Sequence, residues 1–387
     1  MTRSTARTAQ TAPDGSAATI DHYTGEVVYI YAFDVAYEMI RQPVRQLLGQ
    51  PVAQFEVDAT KRSPRQLFFY RPQMVRLPPV ERIGPNGPVR VEHTIKLLPV
   101  GAISITVHVP FRVNTLAELV AYHDLRFSNG SLYDEVRRLA EDVHRELQAY
   151  YIRPAERLAD EEAYTVFCIN APMPTSDRHP HLSSEAWLDQ HRREIAALLT
   201  QEPDIDHLSQ QEASESTARY LSYYDHDLVV VDWDAALILD QPANFAEVVH
   251  VMELANLQLA ELEAYDRILD EAVERSYRDL SARHLRTRRQ TMRQLSEIRI
   301  DLARLSDELS NITKFFGDWH LARIYQTISA RFHLADWHRI IDEKLKTLDD
   351  MYQLLQQDHN NRWMLLLEIT IVLLFIIDLV VLIMGLK

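Results

Sequence analysis

Between Trp363 and Leu386 the chain reads WMLLLEITIVLLFIIDLVVLIMGL, and this run constrains the molecule more than any other feature. As a helix its 24 residues extend about 36 Å, enough to cross a hydrocarbon layer of about 30 Å with some tilt. Seventeen of them are Leu, Ile, Val or Phe. Each such residue favours insertion by roughly 0.3 to 0.6 kcal/mol, whereas an acid at the helix centre costs about 2.5 to 3.5 kcal/mol. Glu368 lies off-centre and costs less than that, so insertion wins. The run predicts one transmembrane helix over 363–386, with Trp363 as an interfacial anchor. Lys344, Lys346 and Arg362 flank its N-terminal side and only Lys387 its far side. By the positive-inside rule the remainder is expected in the cytoplasm, or in the matrix at a mitochondrial inner membrane if the source is eukaryotic. A span in this position reads as tail-anchored. Glu368 and Asp378 stand ten residues apart inside it. They suit a helix–helix contact, in an oligomer or with a membrane partner, as well as they suit snorkelling of one and protonation of the other.

The rest of the 387 residues is composed like a folded, acidic protein, with 41 Lys and Arg against 56 Asp and Glu, net −15. That balance disfavours generic nucleic-acid binding. A single cysteine, Cys168, excludes an intrachain disulfide and a cysteine metal cluster, which fits a reducing compartment. No GxxxxGK or GxGxxG pattern occurs, and neither a cofactor nor a metal is expected. Residues 1–24 lack large apolar residues in any helical pattern and read as a disordered tail.

Residues 241–362 predict a helical stalk, because from Asn244 to Arg362 there is no proline and one glycine, Gly317. Leu295, Ile298, Leu302, Leu305, Leu309, Ile312 and Phe316 keep an unbroken 3-4 spacing, a coiled-coil seam suited to self-association. Val248, Met252, Ala255, Leu259 and Leu262 repeat that spacing, as do Leu345, Leu348, Tyr352 and Leu355. Long helices folded antiparallel on each other, or paired between chains, would satisfy these stripes. Arg283, Arg286, Arg288, Arg289 and Arg293, with His284, form a basic cluster able to meet RNA, anionic lipid or an acidic partner, although a solvated helix face explains it too.

Residues 25–240 mix strand and helix signals without regular βαβ spacing, which predicts an α+β domain. Strands are expected over 27–33, 50–57, 66–77, 89–98, 101–111 and 164–170. Helices are expected over 116–122, 132–151 (capped by Ser131) and 183–199, and a hairpin or strand–helix step over 219–240. Chemistry is sparse. Asp225, His226 and Asp227, or His179 and His181, could ligate a metal, but polar turns explain both groups. Trp319-His320 and Trp337-His338 are weaker still. Cys168 lies in an apolar strand and is expected in the core.

The final seventy-odd residues carry a resemblance. An aromatic segment is followed by a Leu and a Tyr, then by a helix bearing EKL, a polar N-x-R stretch, a Leu-Glu opening the span and an acid ten residues later. The matching positions are Trp319, Tyr325, Glu343, Lys344, Leu345, Arg362, Leu367, Glu368 and Asp378. This combination resembles the family named "required for meiotic nuclear division". The resemblance implies a membrane-anchored, self-associating, non-enzymatic protein, whose mitochondrial members support translation and so imply a ribosome or RNA partner. The order of soluble domain, long helix and C-terminal span is also similar in outline to the CorA-type divalent-cation channels, though their second span and Gly-Met-Asn loop are missing.

Taken together, the sequence predicts a membrane-anchored scaffold, contacting lipid and a protein partner of unknown identity and forming a homo-oligomer, and not an enzyme. The alternatives are a single-span oligomeric cation channel lined by Asp378 or Glu368, and a metal-dependent hydrolase using Asp225, His226 and Asp227.

Overall fold

The computed structural model describes residues 22–282 and 319–385 together with residue 300, except positions 41, 55–72, 86, 99–100, 129, 155–157, 159, 172–182 and 384. A ten-stranded sheet organises the α+β body. Its strands are β1 (Tyr23–Asp34), β2 (Ala53–Gln54), β3 (Gln73–Arg76), β4 (Val80–Gly84), β5 (Gly87–Leu97), β6 (Ala102–Val113), β7 (Glu162–Asn170), β8 (Tyr220–Leu221), β9 (Leu228–Val231) and β10 (Ala235–Asp240). Across the sheet they run β8-β9-β10-β7-β1-β6-β5-β3-β2, and β4 pairs β5 off this path. Neighbours are antiparallel except β7 and β10, which pair in parallel from Thr165↔Ala235 to Asn170↔Asp240.

The central strands are apolar on both faces because both faces are covered. In β1, Val27, Tyr29, Tyr31 and Phe33 enter one buried cluster while Val28 and Ile30 enter another. The first cluster is closed by a 3₁₀ turn at Leu116–Tyr122 and by helices α1 (Leu132–Leu147) and α2 (Ser184–Leu199). Val136, Ala140, Val143 and Leu147 recur at helical spacing on the buried side of α1. Ser131 and Ser183 cap α1 and α2, each hydroxyl accepting a backbone N–H two residues into its helix, from Asp134 and Ala186. A short helix, α3 (Gln210–Ser216), follows α2. The turn before β6 needs glycine: Gly101 has φ +90, and an added Cβ would sit 1.9 Å from the Ala36 carbonyl oxygen.

The second face is covered by α4 (Pro242–Ala282), α5 (Trp319–Arg331) and the first turns of α6 (Leu334–Ile383). Pro242 opens α4, where its missing N–H costs nothing, and the Asp240 carboxylate accepts the Gln241 N–H at 2.6 Å. The stripe Val248, Met252, Ala255, Leu259, Leu262 packs in the cluster that holds Val28, Ile30 and Val166 of the sheet together with Ile324 and Ile328 of α5 and Ile341 and Leu345 of α6, so the sheet and the neighbouring helices share its spacing.

The expected antiparallel pairing does not hold for the two long helices. Asn256 of α4 reaches the Glu162 carbonyl, and Phe332, just before α6, packs edge-on to Tyr164 two residues further along β7. Twelve residues on, Lys344 of α6 reaches Asp266 and Asp270 of α4. The contacts advance along both helices together, so α4 and α6 leave the sheet side by side in the same direction. Among the described residues a coiled coil is not seen. The seam from Leu295 to Ile312 and Phe316 lies outside the described residues, as does the basic cluster from Arg283 to Arg293.

Helix α6 is unbroken for 50 residues, about 75 Å. Its stretch Trp363–Ile383 is long and apolar enough to cross a membrane, and none of it is buried against the rest of the chain.

Candidate functional site

Where α4 lies on the sheet, the interface is charged. Lys96 of β5 and Glu253 of α4 form a buried ion pair, Ser104 of β6 donates to the second Glu253 oxygen at 2.7 Å, and His250 Nδ1 lies 3.3 Å from the first. Lys96, Ser104, Glu253 and His250 are all buried. Burial alone would raise the Glu253 carboxyl, but the Lys96 ammonium and His250 outweigh it and bring it down to about 2. Burial drives the His250 imidazole below its ordinary value, against the pull of Glu253. Buried between α4 and the sheet, this cluster ties α4 to β5 and β6.

A second group gathers where α4 leaves the sheet. Asp34 ends β1, Glu162 begins β7, and Glu263 and Arg267 lie about two and about three turns beyond Asn256 on α4. Burial, then the hydrogen bond and charge of Glu263, raise the Glu162 carboxyl to about 8. Burial raises Asp34 to about 6 against the opposing charge of Arg267. A carboxyl raised to about 8 is protonated at neutral pH or shares a proton with its neighbour, which lets Glu162 and Glu263 meet without full repulsion, whereas Asp34, at about 6, is mostly ionised there.

A third set ties α5 and α6 to the body. Arg331 pairs with the buried Asp232 carboxylate, Nε at 2.8 Å, and Trp233 stacks on His333 at 5.2 Å between ring centres. Tyr325 donates to Gln258 of α4, and Lys344 bridges Asp266 and Asp270 at 2.6 and 2.5 Å. Leu345 and Leu348 are buried beside them. Beyond this clamp α6 continues without a break to Trp363, Glu368 and Asp378, all on the apolar stretch, with Trp363 60% exposed.

Other sequence candidates fall elsewhere. Asp227 accepts the backbone N–H of Tyr223 and Tyr224 at 2.6 and 3.0 Å, His226 stacks on Tyr224, and the Asp225 carbonyl accepts the Ser184 N–H. That is the chemistry of a turn, and among the described residues no three His, Cys, Asp or Glu side chains gather to hold a metal. His179 and His181 lie outside the described residues. Cys168 is fully buried in β7, and burial pushes its thiol well up, away from thiolate. Trp319 is 84% exposed, whereas Tyr325 is buried.

The polar seat of α4 escaped the sequence reading because it sits inside an apolar stripe. Its signal is nonetheless present in VVHVMELANLQLAELEAY (248–265), where His250, Glu253, Asn256, Gln258 and Glu261 are all buried with the apolar residues.

Comparison with known proteins overturns the resemblance to the meiotic nuclear division family. The family model that matches is described as "Uncharacterized protein MJ0711, N-terminal domain", over residues 24–246, which takes in the sheet and the start of α4. A relative from Methanocaldococcus jannaschii, "Uncharacterized protein MJ0711", is 24% identical over 223 residues. The match covers 57% of this chain and 65% of the relative's length. No solved structure matches. Nothing in these matches indicates the meiotic family, and the translation role inferred from it goes with it.

Proposed function

The chain belongs to the family of the MJ0711 N-terminal domain, and from that premise we propose that it is a membrane-anchored tether, holding the family domain on the cytoplasmic side of a membrane at the end of a rigid helix. The observation that carries this reading is the continuity of α6. Its first turns are clamped into the body by Lys344, Leu345 and Leu348, and the same 50-residue helix ends in an apolar stretch that the body does not cover. An exposed apolar surface of this extent is unfavourable in water and favourable in lipid. Self-association through the span at Glu368 and Asp378, and a scaffolding rather than catalytic role, belong to the same reading.

The test uses the full chain in its native membranes. Alkaline carbonate should leave the protein in the pellet, and Leu373→Lys with Ile376→Lys, which place two cations in the hydrocarbon, should release it folded into the supernatant. Release of the unaltered chain by carbonate defeats the anchor. Crosslinking in the membrane should then give an oligomer that Glu368→Gln with Asp378→Asn weakens.

A further inference from the structure

At the end of the sheet opposite the departure of α6, strands β5 and β6 part. Their ladder runs from Leu97↔Ile103 to Glu92↔His108 and stops. Beyond it, Gly87–Val91 pair only with β4, and Val109–Val113 pair only with β1. The two strand segments therefore each present one edge without a ladder partner among the described residues, and they flank a cleft of about 310 Å³. Side-chain alternation splits its lining into two characters. Val109 and Phe111 point with Tyr122 and Leu125 toward the buried cluster, with Val89 packed against it. Arg90 and Arg112 point the other way and are exposed. Arg90 has Glu92 at 3.0 Å in a solvent-exposed pair, a contact of little strength. Phe111 and Tyr122 stand edge-to-face at 6.2 Å, and the Tyr29 hydroxyl donates to the Tyr122 carbonyl at 2.5 Å, so the floor is held rigid.

We propose that this fork binds an extended acidic segment of a partner protein as an added strand, its carboxylates against Arg90 and Arg112 and its alternate apolar side chains over Phe111 and Val89. Two features select this occupant. Open strand edges recognise peptide backbone, which a small molecule does not supply, and pockets on alternating sides read every second side chain. Arginine is the cation best matched to a carboxylate, and two of them line one wall of a protein whose net charge is −15. Pro88 and Pro110 lack N–H groups, which limits the length of ladder a guest can form and protects the fork from indiscriminate pairing. The inference goes beyond the tether and does not depend on it. Since Tyr23↔Val113 and Asp34↔Ala102 mark opposite ends of the β1–β6 ladder, the fork lies at the end of the sheet away from the stalk.

The probe is a fluorescein-labelled ten-residue peptide of alternating Glu and Val, titrated by anisotropy against the full chain in detergent at low salt. Saturable binding is expected, weakened about tenfold by Arg112→Glu and less by Arg112→Lys, with a Lys/Val peptide silent. Because Arg112 is exposed, the variant should keep its circular dichroism spectrum. Methylating alternate peptide amides should abolish binding, and amides of residues 109–113 should gain hydrogen-exchange protection in the complex. Absence of binding, or binding indifferent to Arg112→Glu, overturns the proposal. So does equal affinity of the methylated peptide or full displacement by free glutarate, either of which would make the fork a carboxylate patch rather than a strand site.

Discussion

At the residue scale the largest electrostatic commitment is Glu253. It is desolvated and survives as an anion because Lys96, Ser104 and His250 surround it. Removing one member of such a pair leaves a charge in the interior and costs about 3–5 kcal/mol, whereas replacing both with apolar residues of similar size is often neutral. Glu253→Met and Lys96→Met should therefore each lower the urea midpoint of the detergent-solubilised chain strongly, and the double variant should recover most of the loss. Additive losses in the double variant would mean that the two residues act separately. The pH dependence follows from the same group. Its folded-state value, about 2, lies below the ordinary 4.5. The stabilisation is therefore complete above about pH 4.5 and lost as pH falls toward 2.

At the element scale, α4 shows what periodicity can and cannot reveal. The 3-4 spacing of Val248 to Leu262 marks a helix correctly and leaves its partner open, because a sheet and a second helix both accept an apolar stripe. Strands β1, β5, β6 and β7 were legible as apolar runs, and α1 and α2 as helices with serine caps, since burial and capping leave local marks. The 3₁₀ turn at Leu116–Tyr122 read as a helix because both bury Leu116 and Leu119 on one side. Of the two expectations for 219–240 the hairpin is the one formed, by β9 and β10, whereas β8, α3 and the other two-residue strands are too short to leave a pattern. Ion pairs between distant elements, such as Arg331 with Asp232, have no local signature at all.

The departure point of α4 carries its own pH dependence, opposite in sign to that of Glu253. The folded Glu162 carboxyl titrates near 8 against an ordinary 4.5, so the native state holds a proton that the unfolded chain has released between these values. Stability must fall as pH rises through that window, and Asp34, raised from 3.8 to about 6, adds to the fall at its lower end. Glu162→Gln keeps a hydrogen-bond partner for Glu263 and removes the titration. It should flatten the dependence of the urea midpoint between pH 5 and 8 and stabilise the chain at pH 8 by about 1–3 kcal/mol. An unchanged slope would show that Glu162 and Glu263 do not share a proton in solution.

For the whole molecule the proposed anchor, taken with an unbroken α6, predicts a fixed stand-off. From Leu334, at the edge of the sheet, to Trp363, at the start of the apolar stretch, the helix rises about 43 Å, and α4 accompanies it for part of that distance. On the proposed tether, a flexible connection would let the body roam over the membrane surface, whereas a helix clamped at Lys344 and seated in lipid from Trp363 would hold it at one height. Cys168 is buried and unreactive, so a cysteine placed at exposed Glu92 can be labelled alone. Energy transfer from that dye to labelled lipid headgroups in a nanodisc then measures the height. Inserting seven helix-forming residues after Gln353 lengthens the rod by about 10 Å while turning it by only about 20° relative to its original face. Transfer should fall to the extent that a 10 Å displacement dictates. A hinge between Gln353 and Trp363 would decouple body from membrane and leave transfer nearly unchanged, and the rod would then have to be redrawn as a leash.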